Sequence, residues 1–167
     1  MAWRNIKMKK KIAVMSTIAI LASGFFSAVS AQDPPTPEQQ AEAAVDTRKS
    51  VFKLLRFNLI PLVGMAQGAP FDAALAERNG RRIAALAPMI PDVMAHNTRG
   101  FDVETTALDK IWDNQSDFAS KAQALVDNAT AFADAAATGD RGATLGTFRA
   151  LGGSCGNCHD DYRVDDD

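Results

Sequence analysis

Cys155-Gly156-Asn157-Cys158-His159 stands near the end of this 167-residue chain, and its reading decides the rest. Two thiols three positions apart sit about one helical turn from each other, so both can bond to the vinyl groups on one edge of a porphyrin. The adjacent His159 then lies beneath the ring, where its imidazole can bind iron. C-x-x-C-H is therefore read as the attachment site of one haem c, held through two thioethers. Both cysteines of the chain and one of its two histidines fall in this stretch. Two other readings fit less well. A redox dithiol normally follows a strand in a βαβ unit, and no strand pattern occurs here. A closed structural zinc site needs four ligands, and the other histidine, His96, lies far off in sequence.

Outward from the motif, Leu145, Phe148, Gly152, Cys155, His159 and Tyr162 recur at spacings of three and four. That is one face of a helix over about 141–163, with Gly139 ending the helix before it and Asp140 as its cap. The cysteine and the histidine continue the apolar face, which places the haem inside the protein. Gly152, Gly153 and Gly156 are costly in a helix. They are read as clearing room for the porphyrin, with simple fraying as the other reading.

Three more helices precede this one. Ile111, Phe118, Ala122, Leu125, Ala129, Phe132 and Ala136 form a heptad-like stripe, and its alanines let helix axes approach closely. Asp72 can cap a helix over about 72–87, with the face Leu75, Ile83, Leu86, Ile90 and Val93, made irregular at its end by Pro88 and Pro91. The first helix starts at Thr36-Pro37-Glu38-Gln39, a capping box with Pro at the first helical position. Its face runs Val45, Phe52, Leu55, Leu59, Leu62, and Pro61 is expected to kink or end it. Residues 96–103 read as a polar, Gly-containing loop. The expected fold is all-α: an antiparallel up-down-up-down four-helix bundle enclosing one covalently attached haem.

Residues 1–31 read as a cleaved secretory signal. Five basic residues lead into a mostly apolar run, and Val29-Ser30-Ala31 is a small-residue cleavage site. The apolar run is short for a membrane span; an uncleaved anchor is the alternative. Residues 32–167 then form one cytochrome domain, located in the periplasm. The signal takes five of the 18 basic residues and none of the 20 acidic ones, so residues 32–167 carry a formal charge of −7. That balance argues against nucleic acid or anionic lipid as a partner and points to a basic patch on any redox partner.

The helices, the C-terminal motif followed by Asp160, Tyr162 and Arg163, and a first helix reading Arg48-x-x-x-Phe52-x-x-Leu55-x-x-Asn58 resemble the cytochromes c prime, the high-spin branch of the class II cytochromes c. The resemblance covers essentially all of residues 32–167. It implies that Cys155 and Cys158 carry the haem and that His159 is the proximal ligand of the iron. Arg163 matches the basic residue beside that histidine, and Arg48 the arginine that pairs with a haem propionate. Phe52 falls where the family places an apolar residue over the sixth coordination site.

A phenyl ring has no lone pair and cannot bind iron. An iron left five-coordinate beneath Phe52 suits small neutral gases, nitric oxide and carbon monoxide, and the protein remains capable of electron transfer. The alternative is a low-spin class II cytochrome c acting as an electron carrier. Such relatives place a methionine on the first helix, whereas Met65 here is out of phase with the apolar face. No acid–base constellation suggests an enzyme. The resemblance also implies a homodimer. Val51, Leu54 and Phe57 form a second apolar face of the first helix that serves either a dimer or the monomer core.

Overall fold

The computed structural model describes residues 33–164. The expected export signal at 1–31 and the acidic tail at 165–167 lie outside the described residues. From Pro34 on, the described chain forms one compact unit. Its helices are α1 (Pro37–Ala66), α2 (Ala73–Leu86), α3 (Met89–Met94), α4 (Lys110–Asp113), α5 (Gln115–Ala137) and α6 (Arg141–Tyr162). The four long ones, α1, α2, α5 and α6, make an antiparallel four-helix bundle. No described helix is long and apolar enough to cross a membrane.

Helix ends follow local chemistry. Thr36 Oγ1 accepts from the Gln39 amide at 3.3 Å, and Gln39 Oε1 accepts from the Thr36 amide at 2.9 Å. Asp72 accepts from the Leu75 amide and Asp140 from the Ala143 amide. Gly139 turns the chain between α5 and α6 at φ +78°, a conformation that only glycine adopts without strain. Pro61 does not end α1, which continues to Ala66. A proline inside a helix costs about 3 kcal/mol. Burying Leu62 and Met65 beyond it contributes about 1.5–3 kcal/mol each, so tertiary packing carries the helix through. After α2, the chain breaks at Ala87 and Pro88 and resumes as α3, which buries Ile90 and Met94.

The core follows the α5 stripe. Phe118, Ala122, Leu125, Ala129, Phe132 and Ala136 are all buried, and Ile111 joins them from α4. α5 packs on α2 along one side and on α6 along the other. At the α2 crossing, a Cβ on Gly80 would stand 2.9 Å from Phe132 Cδ1 and 3.3 Å from the Ala129 carbonyl, so the backbones approach only because position 80 has no side chain. By contrast, α1 and α6 meet at only a few places, and the space between them is where the site lies.

α6 turns one side to its neighbouring helices, and the side bearing Cys155 and His159 to a cavity, as the spacing predicts. Thr144, Leu151, Ser154 and Tyr162 are buried, while Leu145, Phe148 and Gly152 are only partly covered and His159 is exposed. Ser154 faces α5. Its hydroxyl accepts from Asn128 Nδ2 at 2.8 Å and lies 3.2 Å from the Ala150 carbonyl, so a polar residue occupies the α5–α6 seam.

Candidate functional site

A cavity of about 750 Å³ opens between α1, α5 and α6, within the ~300–1,000 Å³ range of cofactor and ligand pockets. Leu55 and Leu59 of α1, Phe118 and Leu125 of α5, Leu151 of α6, and Ile83 and Ile90 make it apolar. Cys155, Cys158 and His159 line it from α6, Arg163 from just past the end of α6, and Arg48 and Phe52 from α1. All six site residues named from the sequence thus border one cavity.

α6 presents its residues here because a strap closes over its end. Ala107 and Arg163 form an antiparallel bridge. The Leu108 amide donates to the Tyr162 carbonyl at 3.0 Å, and the Val164 amide to the Thr106 carbonyl at 2.8 Å. The strap residues Glu104, Thr105, Thr106 and Ala107 form one wall of the cavity.

Both cysteines are half-buried, and neither is in a disulfide. Burial raises the pKa of each thiol, that of Cys158 to about 11, with the nearby Lys121 cation opposing the shift. The Cys155 thiol lies 3.8 Å from the Leu151 carbonyl. Lys121 lines the cavity from α5 and pairs with Asp161 at 2.9 Å; Lys110 stands 3.8 Å from the same carboxylate. The Lys121 hydrogen bond is the main cause that holds the Asp161 carboxyl below its ordinary pKa.

Arg48 is 3% exposed. Its Nε donates to the Val93 carbonyl and one terminal nitrogen to Thr98 Oγ1, both at 2.8 Å; the other donates to the His96 carbonyl. The guanidinium lies 5.4 Å from the Trp112 ring centroid, and Arg99 lies 5.8 Å from the same ring. Trp112 Nε1 donates to the Met94 carbonyl at 2.9 Å. Three of the five N–H donors of Arg48 therefore clamp the segment 93–98 onto α1. This clamp was not visible from the sequence, which placed His96 in a plain polar loop.

Phe52 is 37% exposed, with its ring against the cavity rather than packed in the core. Met65 is buried and does not line the cavity. Met94, which the helical pattern of the first helix could not reveal, does line it. Gly152, Gly153 and Gly156 are not among the lining residues, and a Cβ on any of them would meet nothing within 4 Å. Lys121 was missed as well, although it follows the stripe residue Phe118 by three positions and so falls at the stripe's edge.

The donor set fits a haem c. The apolar walls suit a macrocycle, two thiols and an imidazole stand together on α6, and cations border the opening to receive carboxylates.

The family model described as cytochrome c' matches residues 43–163. A cytochrome c' of Cereibacter sphaeroides is 35% identical over 127 residues, covering 74% of this chain and 85% of the relative. Among solved structures, the nitric oxide complex of a variant cytochrome c prime from Alcaligenes xylosoxidans is 30% identical with a TM-score of 0.66, covering 75% of this chain and 97% of that one. A cytochrome c' described as having a ligand-controlled dimer dissociation is 27% identical with a TM-score of 0.67, at the same coverage. A four-helix bundle with a C-x-x-C-H motif lining an interhelical cavity is the arrangement of a bundle-type c-type cytochrome. This chain belongs to the cytochrome c' family.

Proposed function

We propose that this chain is an exported, periplasmic haem protein that binds small neutral gases, nitric oxide foremost and carbon monoxide with it, and can also pass single electrons. One observation carries the reading: the cavity lined by Cys155, Cys158 and His159 is bordered on α1 by Phe52, whose ring offers no lone pair to a metal. Bound haem supplies an iron that takes a diatomic ligand and changes oxidation state by one electron.

The chain's own residues do the rest. Cys155 and Cys158 anchor the group covalently, and His159 gives the iron its protein ligand. Phe52 would keep its side of the cavity apolar, which disfavours anions and admits small neutral molecules. Arg48, together with Arg163, receives the haem carboxylates. Residues 1–31 direct export, where the covalent attachment takes place. The related protein solved as a nitric oxide complex supports the choice of ligand.

A homodimer through α1 is part of this reading. Leu54 and Phe57 are 51% and 67% exposed, whereas Val51, from the same apolar face, is buried in the monomer. The face that a second copy would cover is therefore Leu54 and Phe57 without Val51. The relative whose dimer responds to a ligand supports this assignment.

A second reading, a low-spin electron carrier, is favoured by one observation: Met94, whose side chain carries a thioether, is among the residues lining the cavity. Titrating the reduced, purified protein with nitric oxide tests the first reading. Saturable binding with a shifted haem absorption band supports it, and no binding overturns it.

A further inference from the structure

Residues 32–167 carry 13 basic and 20 acidic residues, yet six of those 13 cations line the cavity between α1, α5 and α6, against a single acid, Glu104. Local charge at the opening is thus opposite in sign to the protein as a whole. Several of these cations are committed. Arg48 is held by Val93, His96 and Thr98, and Lys121 is paired with Asp161. Lys49 also borders a shallow hollow with Glu42, Asp46, Asp102 and Glu104, which offset its charge. Lys53 and Arg56 are different. Both are exposed at the opening, and neither is in an ion pair among the described residues.

These residues are also ordered along the helix. Lys49, Lys53, Arg56 and Ile60 follow one another at offsets of four, seven and eleven, which is a single face of α1. Ile60 is 56% exposed at the end of that row. Leu54 and Phe57 fall on the adjoining face of the helix, with Phe57 beside Lys53 and Ile60, so the basic row borders the proposed dimer face.

We propose that this basic row, from Lys53 and Arg56 to Ile60, is the docking surface for a redox partner protein that presents carboxylates to the cavity opening. The inference rests on the reading that a haem occupies this cavity. It reverses the partner that net charge alone suggests. Fields at the rim of a low-dielectric cleft are set by nearby charges, and at about 0.15 M salt charges more than about 8 Å away are largely screened. A partner approaching this opening meets Lys53 and Arg56 before it meets the distant carboxylates, and Ile60 supplies an apolar contact at the row's end.

The test measures electron transfer from the full, haem-loaded, reduced protein by stopped flow. One electron passes from the reduced protein to ferricyanide, giving the oxidised protein and ferrocyanide. Ferricyanide, a trianion, probes the local field, and hexaammineruthenium(III), a trication, serves as its opposite. The proposal predicts that the ferricyanide rate falls as ionic strength rises and that the hexaammineruthenium rate increases. Lys53→Glu/Arg56→Glu lowers the low-salt ferricyanide rate several-fold and flattens or reverses its salt dependence. Arg78→Glu/Arg82→Glu makes the same change in net charge on exposed α2 positions away from the cavity and has little effect. A ferricyanide rate that climbs with salt in the unaltered protein, or equal effects of the two double variants, overturns the proposal. So does conversion of a dimer to a monomer by Lys53→Glu/Arg56→Glu in sedimentation, which would make the row a contact between copies. A protein that carries no haem absorbance or cannot be reduced by dithionite overturns the functional reading and this inference with it. A reducible haem protein with salt behaviour set by net charge overturns the inference alone.

Discussion

Tyr162 donates its phenolic hydroxyl to Asp117 Oδ2 at 2.6 Å, tying the last turn of α6 to the first turn of α5. The ring packs edge-on against Phe118 at 5.2 Å. His159 lies one turn before Tyr162, so this contact fixes the helix end that presents the imidazole to the cavity.

Burial, and then the bond to Asp117, raise the pKa of Tyr162 to about 12, from about 10 when unfolded. A raised pKa stabilises the fold while the group is protonated, so this contribution is complete below about pH 10 and is lost as pH climbs towards about 12. Tyr162→Phe should cost about 1.5–3 kcal/mol at neutral pH, the range for a hydrogen bond to a charged acceptor. It should also remove part of the stability loss between about pH 10 and 12. Urea unfolding across that range measures both effects. Tyr162 is the only tyrosine in the chain, so its titration appears as a single phenolic signal. A titration midpoint near 10 would contradict the buried, hydrogen-bonded geometry.

Arg48 makes three directional bonds to one segment and stacks on Trp112. A lysine cannot span three acceptors arranged around a planar fork. Arg48→Lys should lower stability by about 2 kcal/mol and speed tryptic cleavage after Arg99, in the loop that the clamp restrains. Unchanged cleavage at Arg99 in the variant would show that Arg48 does not hold this segment.

Gly80→Ala and Gly146→Ala should move stability in opposite directions. Both gain about 1 kcal/mol of helix propensity. At position 80 the new methyl enters the α2–α5 seam against Phe132, Ala133 and the Ala129 carbonyl, and overpacking of this kind costs about 1–3 kcal/mol. At exposed position 146 it meets nothing within 4 Å. Thermal unfolding of the pair decides; a more stable Gly80→Ala protein would mean the seam has room.

Met94→Leu separates the two readings of the iron's environment. With no methionine bound to the iron, the substitution conserves apolar volume and leaves the visible spectrum of the reduced protein unchanged. Loss of a sharp low-spin spectrum in the variant would instead make Met94 a ligand and electron transfer the leading function.

Much of the fold was legible because the chain states it locally. The α5 stripe from Phe118 to Ala136 is buried as its spacing requires, and Thr36, Asp72 and Asp140 cap the helices they precede. That α1 continues past Pro61 was not legible, because a local penalty of about 3 kcal/mol is offset by burial of Leu62 and Met65, which only the tertiary structure shows. On α6, burial of Ser154 and Thr144 was not legible, because both are polar by type and are buried through hydrogen bonds. The cavity residues could be named from the motif and from Arg48-x-x-x-Phe52. The Arg48 clamp, the strap at 104–107 and the entry of Met94 depend on long-range contacts that carry no sequence period.

The most direct test of the account is the absorption spectrum of the purified, reduced protein before and after carbon monoxide is added. A high-spin spectrum with the band pattern of a covalently bound haem c, shifting on addition of the gas, is expected. A sharp low-spin spectrum indifferent to carbon monoxide would contradict it.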